Sequence, residues 1–168
     1  KSGSMAAPVG GVEKIQMARE ACISVVKLQG PNDYVGVMGF DDTGQWVVKP
    51  SANVDKGAVI NTISQMRGGG GTDLYPALKT AFDEAKQIKV QTKHFIIFTD
   101  GMVAPGDFEG LAKEMTDSNC TMSTVAFGSD ADIPFMKELA TLGGGNMYEA
   151  RNLQDLPRIF AREVFMAN

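Results

Sequence analysis

Phe95-Ile96-Ile97-Phe98-Thr99-Asp100-Gly101 is the stretch that decides the fold of this chain. From His94 to Thr99 it is almost continuously apolar, as expected of a parallel strand covered on both faces. Asp100 follows directly. In an open parallel sheet, ligands bind beyond the carboxyl ends of the strands, where the strand order reverses. The strand therefore delivers a carboxylate to the edge where chemistry is expected.

Working outward, strands and helices alternate. Upstream, Ile15, Ala18, Cys22 and Val25 recur at helical spacing between Val12 and Leu28, with Glu13, Lys14, Arg19 and Glu20 mostly opposite. Tyr34 to Phe40 and Gln45 to Lys49 read as a hairpin turning through Asp41-Asp42-Thr43-Gly44. A short helix is predicted from Ala58 to Met66. Gly68-Gly69-Gly70-Gly71 follows, and then a helix from about Tyr75 to Ile88, with Pro76 in its first turn. Downstream, helices near Phe108–Thr116 and Ile133–Thr141 flank a strand from Thr121 to Phe127, and a strand from Asn146 to Glu149 precedes a helix from about Leu156 to Ala167. The pattern predicts one α/β domain over residues 1–168: a doubly wound, Rossmann-like, mostly parallel sheet with helices on both faces and one antiparallel edge hairpin.

Composition narrows the function. The 168 residues suffice for one domain. A net charge of −4 leaves no basic footprint for nucleic acid. No apolar run reaches the roughly 18 residues that cross a bilayer. Cys22 and Cys120 are neither a CxxC pair nor near a histidine cluster, so they read as inert thiols rather than zinc ligands. His94, the single histidine, reads as a packed or hydrogen-bonded side chain, Trp46 as hairpin packing, and the ten methionines as core filler.

Three oxygen-bearing positions stand out: Ser2 and Ser4 around Gly3, Thr72 after the four glycines, and Asp100. Hydroxyls and carboxylates suit a hard cation, Mg²⁺ or Mn²⁺, which keeps several waters and so stays open to an outside ligand. Gly3-Ser4-Met5, Gly71-Thr72-Asp73 and Phe98-Thr99-Asp100-Gly101 resemble, in order and rough spacing, the metal-ion-dependent adhesion site of von Willebrand factor type A domains. The family pattern is Asp-x-Ser-x-Ser, a distant Thr and a distant Asp. The resemblance implies that Ser2, Ser4 and Thr72 contact the metal, that Asp100 acts largely through bound water, and that the remaining position accepts an Asp or Glu carboxylate from a protein partner. Gly70 to Leu78 and Leu156 to Phe160 look most like bacterial members embedded in larger, often membrane-attached proteins. Asp73 and Asp132 read as helix caps, and Asp130 with Asp132 could add acidity near the site.

Two other functions compete with this protein-binding reading. A Mg²⁺-dependent phosphoryl-transfer enzyme would want an Asp-x-Asp pair or a Gly-Lys-Ser/Thr loop, and Asp100 and Gly71-Thr72-Asp73 supply neither. A dinucleotide site would want GxGxxG between strand and helix, whereas Gly143-Gly144-Gly145 precedes a strand. A structural domain with a vestigial metal site is the third reading. It follows from the family's first Asp, which would lie immediately before Lys1 at the end of an apolar strand. That strand is central in the family's sheet. Losing about five buried apolar side chains there would cost on the order of 8–15 kcal/mol, as much as a typical domain's whole stability of about 5–15 kcal/mol. The expectation is that this stretch is part of a larger protein, with a preceding segment, or a strand-swapped partner, in that position.

Overall fold

The computed structural model describes residues 8–9, 12–30, 32–40, 44–52, 55–65, 73–90, 93–99, 103–127, 131–152 and 154–167. Two-residue strands β1 (Pro8–Val9) and β2 (Val12–Glu13) pair antiparallel and lead into helix α1 (Lys14–Leu28). The helix thus starts two residues later than its periodicity suggests, because Val12 and Glu13 are held in the β1–β2 pairing. Met17, Ala18, Ala21, Ile23 and Val26 of this helix are buried, and they spread over more than one of its faces.

The hairpin is β3 (Val35–Phe40) and β4 (Gly44–Ser51), antiparallel and longer in its second arm than anticipated. Helices α2 (Lys56–Ser64) and α3 (Leu74–Ala85) lead to β5 (Lys93–Thr99). Then come α4 (Phe108–Asp117), β6 (Cys120–Phe127), α5 (Ile133–Leu142), β7 (Gly144–Ala150) and α6 (Asp155–Ala167). Strands β5, β6 and β7 form a parallel sheet in that order, from Lys93↔Cys120 to Thr99↔Ala126 in the first pair. The fold class read from the sequence is the one observed.

Side-chain alternation across the strands separates two cores. Ile96, Phe98, Val125, Phe127 and Ala150 pack with α1 and α6 on one face. Ile97, Met122 and Ala126 pack with α3, α4 and α5 on the other. Six consecutive buried residues, Met122 to Phe127, therefore serve both faces. Four methionines, Met17, Met115, Met122 and Met136, are fully buried, as core filler should be. Burial pushes the Cys22 thiol up to about 11 and raises that of Cys120, and both cysteines are free.

Gly143 to Gly145 have a structural use. Gly143 caps α5 and its carbonyl accepts from the Met122 N–H at 2.9 Å. Gly144, at φ +74°, takes the left-handed conformation that favours glycine and starts β7 two residues before the expected Asn146.

At the amino ends of the strands, His94 joins a buried polar cluster. Its Nδ1 lies 2.6 Å from Thr121 Oγ1 and its Nε2 3.0 Å from Glu163 Oε1. Tyr148 donates to Glu163 Oε2 at 2.7 Å. An ionised glutamate only accepts, so it is the His94 Nε2–H that donates to Glu163.

Candidate metal centre at the carboxyl ends of the strands

Ser2, Ser4, Thr72 and Asp100 all lie outside the described residues, as does Asp130. Their neighbours are described. Thr99, the last residue of β5, is fully buried. Asp73 occupies the N-cap of α3.

The chain downstream of Asp100 and the first turn of α3 meet. Chain 103–107, which follows Asp100 in sequence, runs against the first turn of α3. A Cβ on Gly106 would come within 2.8 Å of Tyr75 Cβ, an approach only glycine allows without a shift. Tyr75 meets Phe108 edge-on with ring centroids 5.6 Å apart, and Phe108 meets Phe135 edge-on at 5.0 Å. The three rings belong to the first turns of α3, α4 and α5. Edge-to-face pairs of this kind favour a fixed geometry, and here they gather three helix amino termini beside the carboxyl end of β5.

Helix amino termini carry partial positive charge and unsatisfied N–H groups, so carboxylates are stabilised there. Asp107 accepts from the Gly110 N–H at 3.0 Å and Asp132 from the Phe135 N–H at 3.2 Å. Asp132 is therefore the cap its sequence suggested, with Pro134 in the first turn. Asp55 likewise caps α2 through Ala58 at 3.1 Å. Asp73 is the exception: it holds the N-cap position, but its side chain makes no capping hydrogen bond. The capping role expected for Asp73 is corrected accordingly, and its half-buried carboxylate stands next to Thr72. Sequence alone could not separate it from Asp107 or Asp132, which occupy the same position in their helices.

Among the described residues no three His, Cys, Asp or Glu side chains group as a metal site. No described helix is long and apolar enough to cross a membrane.

The architecture defines a class, the open α/β domain with helices on both faces of its sheet and an aspartate-lined edge where the strands end. Within that class, the chain belongs to the von Willebrand factor type A domain family, whose model matches residues 1–102. Members of this family commonly mediate metal-dependent protein interactions and are typically not enzymes. The chain is 28% identical over 179 residues to mouse inter alpha-trypsin inhibitor heavy chain 4, covering 92% of this chain and 18% of that protein. It thus spans about a fifth of that relative's length. Its fold is shared with the conserved hypothetical protein BatB from Bacteroides thetaiotaomicron, at TM-score 0.86 and 16% identity over 99% of this chain and 94% of that one. It is also shared with proximal thread matrix protein 1 from the mussel byssus, solved with a zinc-occupied metal-ion-dependent adhesion motif, at TM-score 0.82 and 16% identity over 99% of this chain and 43% of that one.

Proposed function

We propose that this chain is a metal-dependent protein-binding module, in which Ser2, Ser4, Thr72 and Asp100 hold Mg²⁺ or Mn²⁺ and a partner's Asp or Glu carboxylate completes the coordination. The observation that carries the reading is the carboxylate of Asp73, which makes no capping hydrogen bond and is set where three helix amino termini converge beside the end of β5. Family membership supports it, and so does the donor set, all hydroxyl and carboxylate oxygen, which suits a hard cation. The helix amino termini favour an incoming carboxylate. Mg²⁺ and Mn²⁺ are preferred to the zinc of the mussel relative because no His or Cys stands among the four proposed ligands. On this reading, which the resemblance of Gly70 to Leu78 and Leu156 to Phe160 to bacterial members supports, the parent is a larger bacterial protein attached to a membrane.

Calorimetry with MgCl₂ and MnCl₂ tests the site. Asp100→Ala should weaken binding at least about tenfold, or roughly 1.4 kcal/mol, and Asp73→Asn by less, because Asp73 is proposed only to add negative charge near the ion. Equal affinity in the parent chain and Asp100→Ala would overturn the assignment. The same samples should show no Mg²⁺-dependent phosphatase or nucleotidase turnover. Turnover abolished by Asp100→Asn would instead establish the enzyme reading.

A further inference from the structure

The His94 cluster lies at the end of the sheet opposite the candidate metal centre, and its outermost member is a surface hydroxyl. His94 of β5 and Thr121 of β6 are register partners. Their side chains therefore leave the sheet side by side, on the face that carries Ile96, Phe98, Val125 and Phe127 toward α1 and α6. Three groups run inward from solvent: Thr121 is exposed, the His94 side chain is 16% exposed, and that of Glu163 is 1% exposed. Thr121 Oγ1 stands 2.6 Å from His94 Nδ1, and His94 Nε2 stands 3.0 Å from Glu163 Oε1. Glu163 is fixed in its turn. Its other oxygen accepts from Tyr148 at 2.7 Å, and Ser123 hydrogen-bonds the carboxylate as well.

A hydroxyl, an imidazole and a buried carboxylate in this order are the parts of an activated nucleophile. Glu163 accepts the Nε2 proton, so while the imidazole is neutral its Nδ1 presents a lone pair to the Thr121 hydroxyl. The ring can then take the hydroxyl proton, and the carboxylate stabilises the imidazolium that forms. The ionisable groups packed with the ring are Glu163 of α6 and, through it, Tyr148 of β7, which Arg162 also reaches electrostatically. A cluster that served packing alone would be complete at His94, and the exposed hydroxyl on its outer nitrogen goes beyond that need. Thr141 shows the contrast: it is also a surface threonine, but its hydroxyl donates to the Lys137 carbonyl at 2.9 Å, and a carbonyl cannot take the proton away. The same parts select the electrophile. A phosphoryl donor would bring negative charge toward the Glu163 carboxylate and needs cations to balance it, which these residues do not supply. A neutral acyl group needs a nucleophile and a base, and at a surface hydroxyl it must bring its own good leaving group.

We propose that Thr121 is an acyl-acceptor site, with His94 as its general base, Glu163 as the positioning residue and an activated carboxylic ester as the donor. The Thr121 oxygen bonds to the acyl carbon as the bond from that carbon to the leaving aryloxide breaks. The hydroxyl proton passes to His94 Nδ1 and from there to the aryloxide, so the products are acyl-threonine and a phenol, with no change of oxidation state. The site is separate from the metal centre and does not depend on it.

The protein is incubated with p-nitrophenyl acetate, and acetylation is followed residue by residue by peptide mass mapping, with Thr141 and the surface lysines as internal standards. Thr121 should be acetylated at least about a hundredfold faster than Thr141, in line with the usual contribution of a positioned base. Its rate should rise with pH and level off once the imidazole is neutral. Thr121→Val, nearly isosteric at an exposed position, should abolish the label while lysine acetylation stays as in the parent, and Thr121→Ser should retain it. His94→Asn should bring Thr121 down to the rate of Thr141 and replace the plateau with a steady climb in hydroxide. Glu163→Gln still accepts the Nε2 proton but carries no charge, so it should keep the plateau and lower it at least about tenfold. Thr121 left unlabelled, or labelled no faster than Thr141, would overturn the proposal. So would a full rate with its plateau intact in His94→Asn, and an undiminished plateau in Glu163→Gln would remove Glu163 from the site.

Discussion

Gly145→Ala should destabilise the domain by about 3 kcal/mol, at the upper end of overpacking costs, and lower its thermal midpoint by roughly 6–12 °C for a chain of this size. A Cβ there would overlap the Met122 carbonyl oxygen and Ser123 Oγ. Neither can yield. Met122 belongs to β6, where its side chain is fully buried, and Ser123 Oγ accepts from the Asn146 N–H at 3.0 Å. The register between β6 and β7 shifts just here, between Met122 and Thr124, so the glycine lets β7 close on β6. Two other glycines calibrate the result. Gly144→Ala should cost about 1–2 kcal/mol from its left-handed φ, since its Cβ would meet only Thr121 Cγ2 at 3.9 Å. Gly57→Ala, in helix α2 and facing only Asp55 Oδ1 at 3.4 Å, should stabilise by about 0.5 kcal/mol. Differential scanning calorimetry on the three variants checks the order. Equal midpoints for Gly145→Ala and Gly57→Ala would sink the steric account.

These glycines also show where the sequence could and could not be read. The apolar run ending at Thr99 announces β5 because a strand buried on both faces has no polar positions to confuse it. The same chemistry hides the start of β7: Gly144 and Gly145 carry strand backbone but no side-chain pattern, so periodicity finds nothing before Asn146. β1 and β2, at two residues each, are too short for any period. Asp73 and Asp132 occupy the same position in their helices, and only the placed side chains distinguish a carboxylate that caps from one that does not. The aromatic chain Tyr75–Phe108–Phe135 was invisible because its members come from three helices. Each ring reads separately as ordinary core.

A glutamate in a helix ordinarily faces solvent, yet Glu163 of α6 is 1% exposed. Its partners His94 and Tyr148 lie 69 and 15 residues away. Burial pushes its carboxyl up, but hydrogen bonds from His94, Ser123 and Tyr148 outweigh that and hold it at about 2, below its ordinary 4.5. Burial, aided by the bond to Glu163, pushes the Tyr148 phenol up to about 12, so it remains a donor at any ordinary pH. Because the folded-state value is depressed, the unfolded chain binds the proton more readily between pH 2 and 4.5. The stabilisation is therefore complete above about pH 4.5 and is lost as pH falls toward 2. That depression corresponds to roughly 3 kcal/mol. Glu163→Gln should remove that slope, so that parent and variant converge in stability as the pH drops through this window. Glu163→Ala should cost about 3–5 kcal/mol at pH 7, because it strands the buried hydrogen-bonding groups of Tyr148 and Ser123 together with His94. Urea titrations of the three proteins from pH 2.5 to 7 read both effects. His94 and Thr121 are each the second residue of their strands, so the cluster anchors α6 at the end of the sheet opposite Thr99. Metal affinity in Glu163→Gln should accordingly match the parent at pH 7. A parent and a Glu163→Gln variant that lose stability in parallel down to pH 2.5 would show that the carboxylate is not held in its charged form.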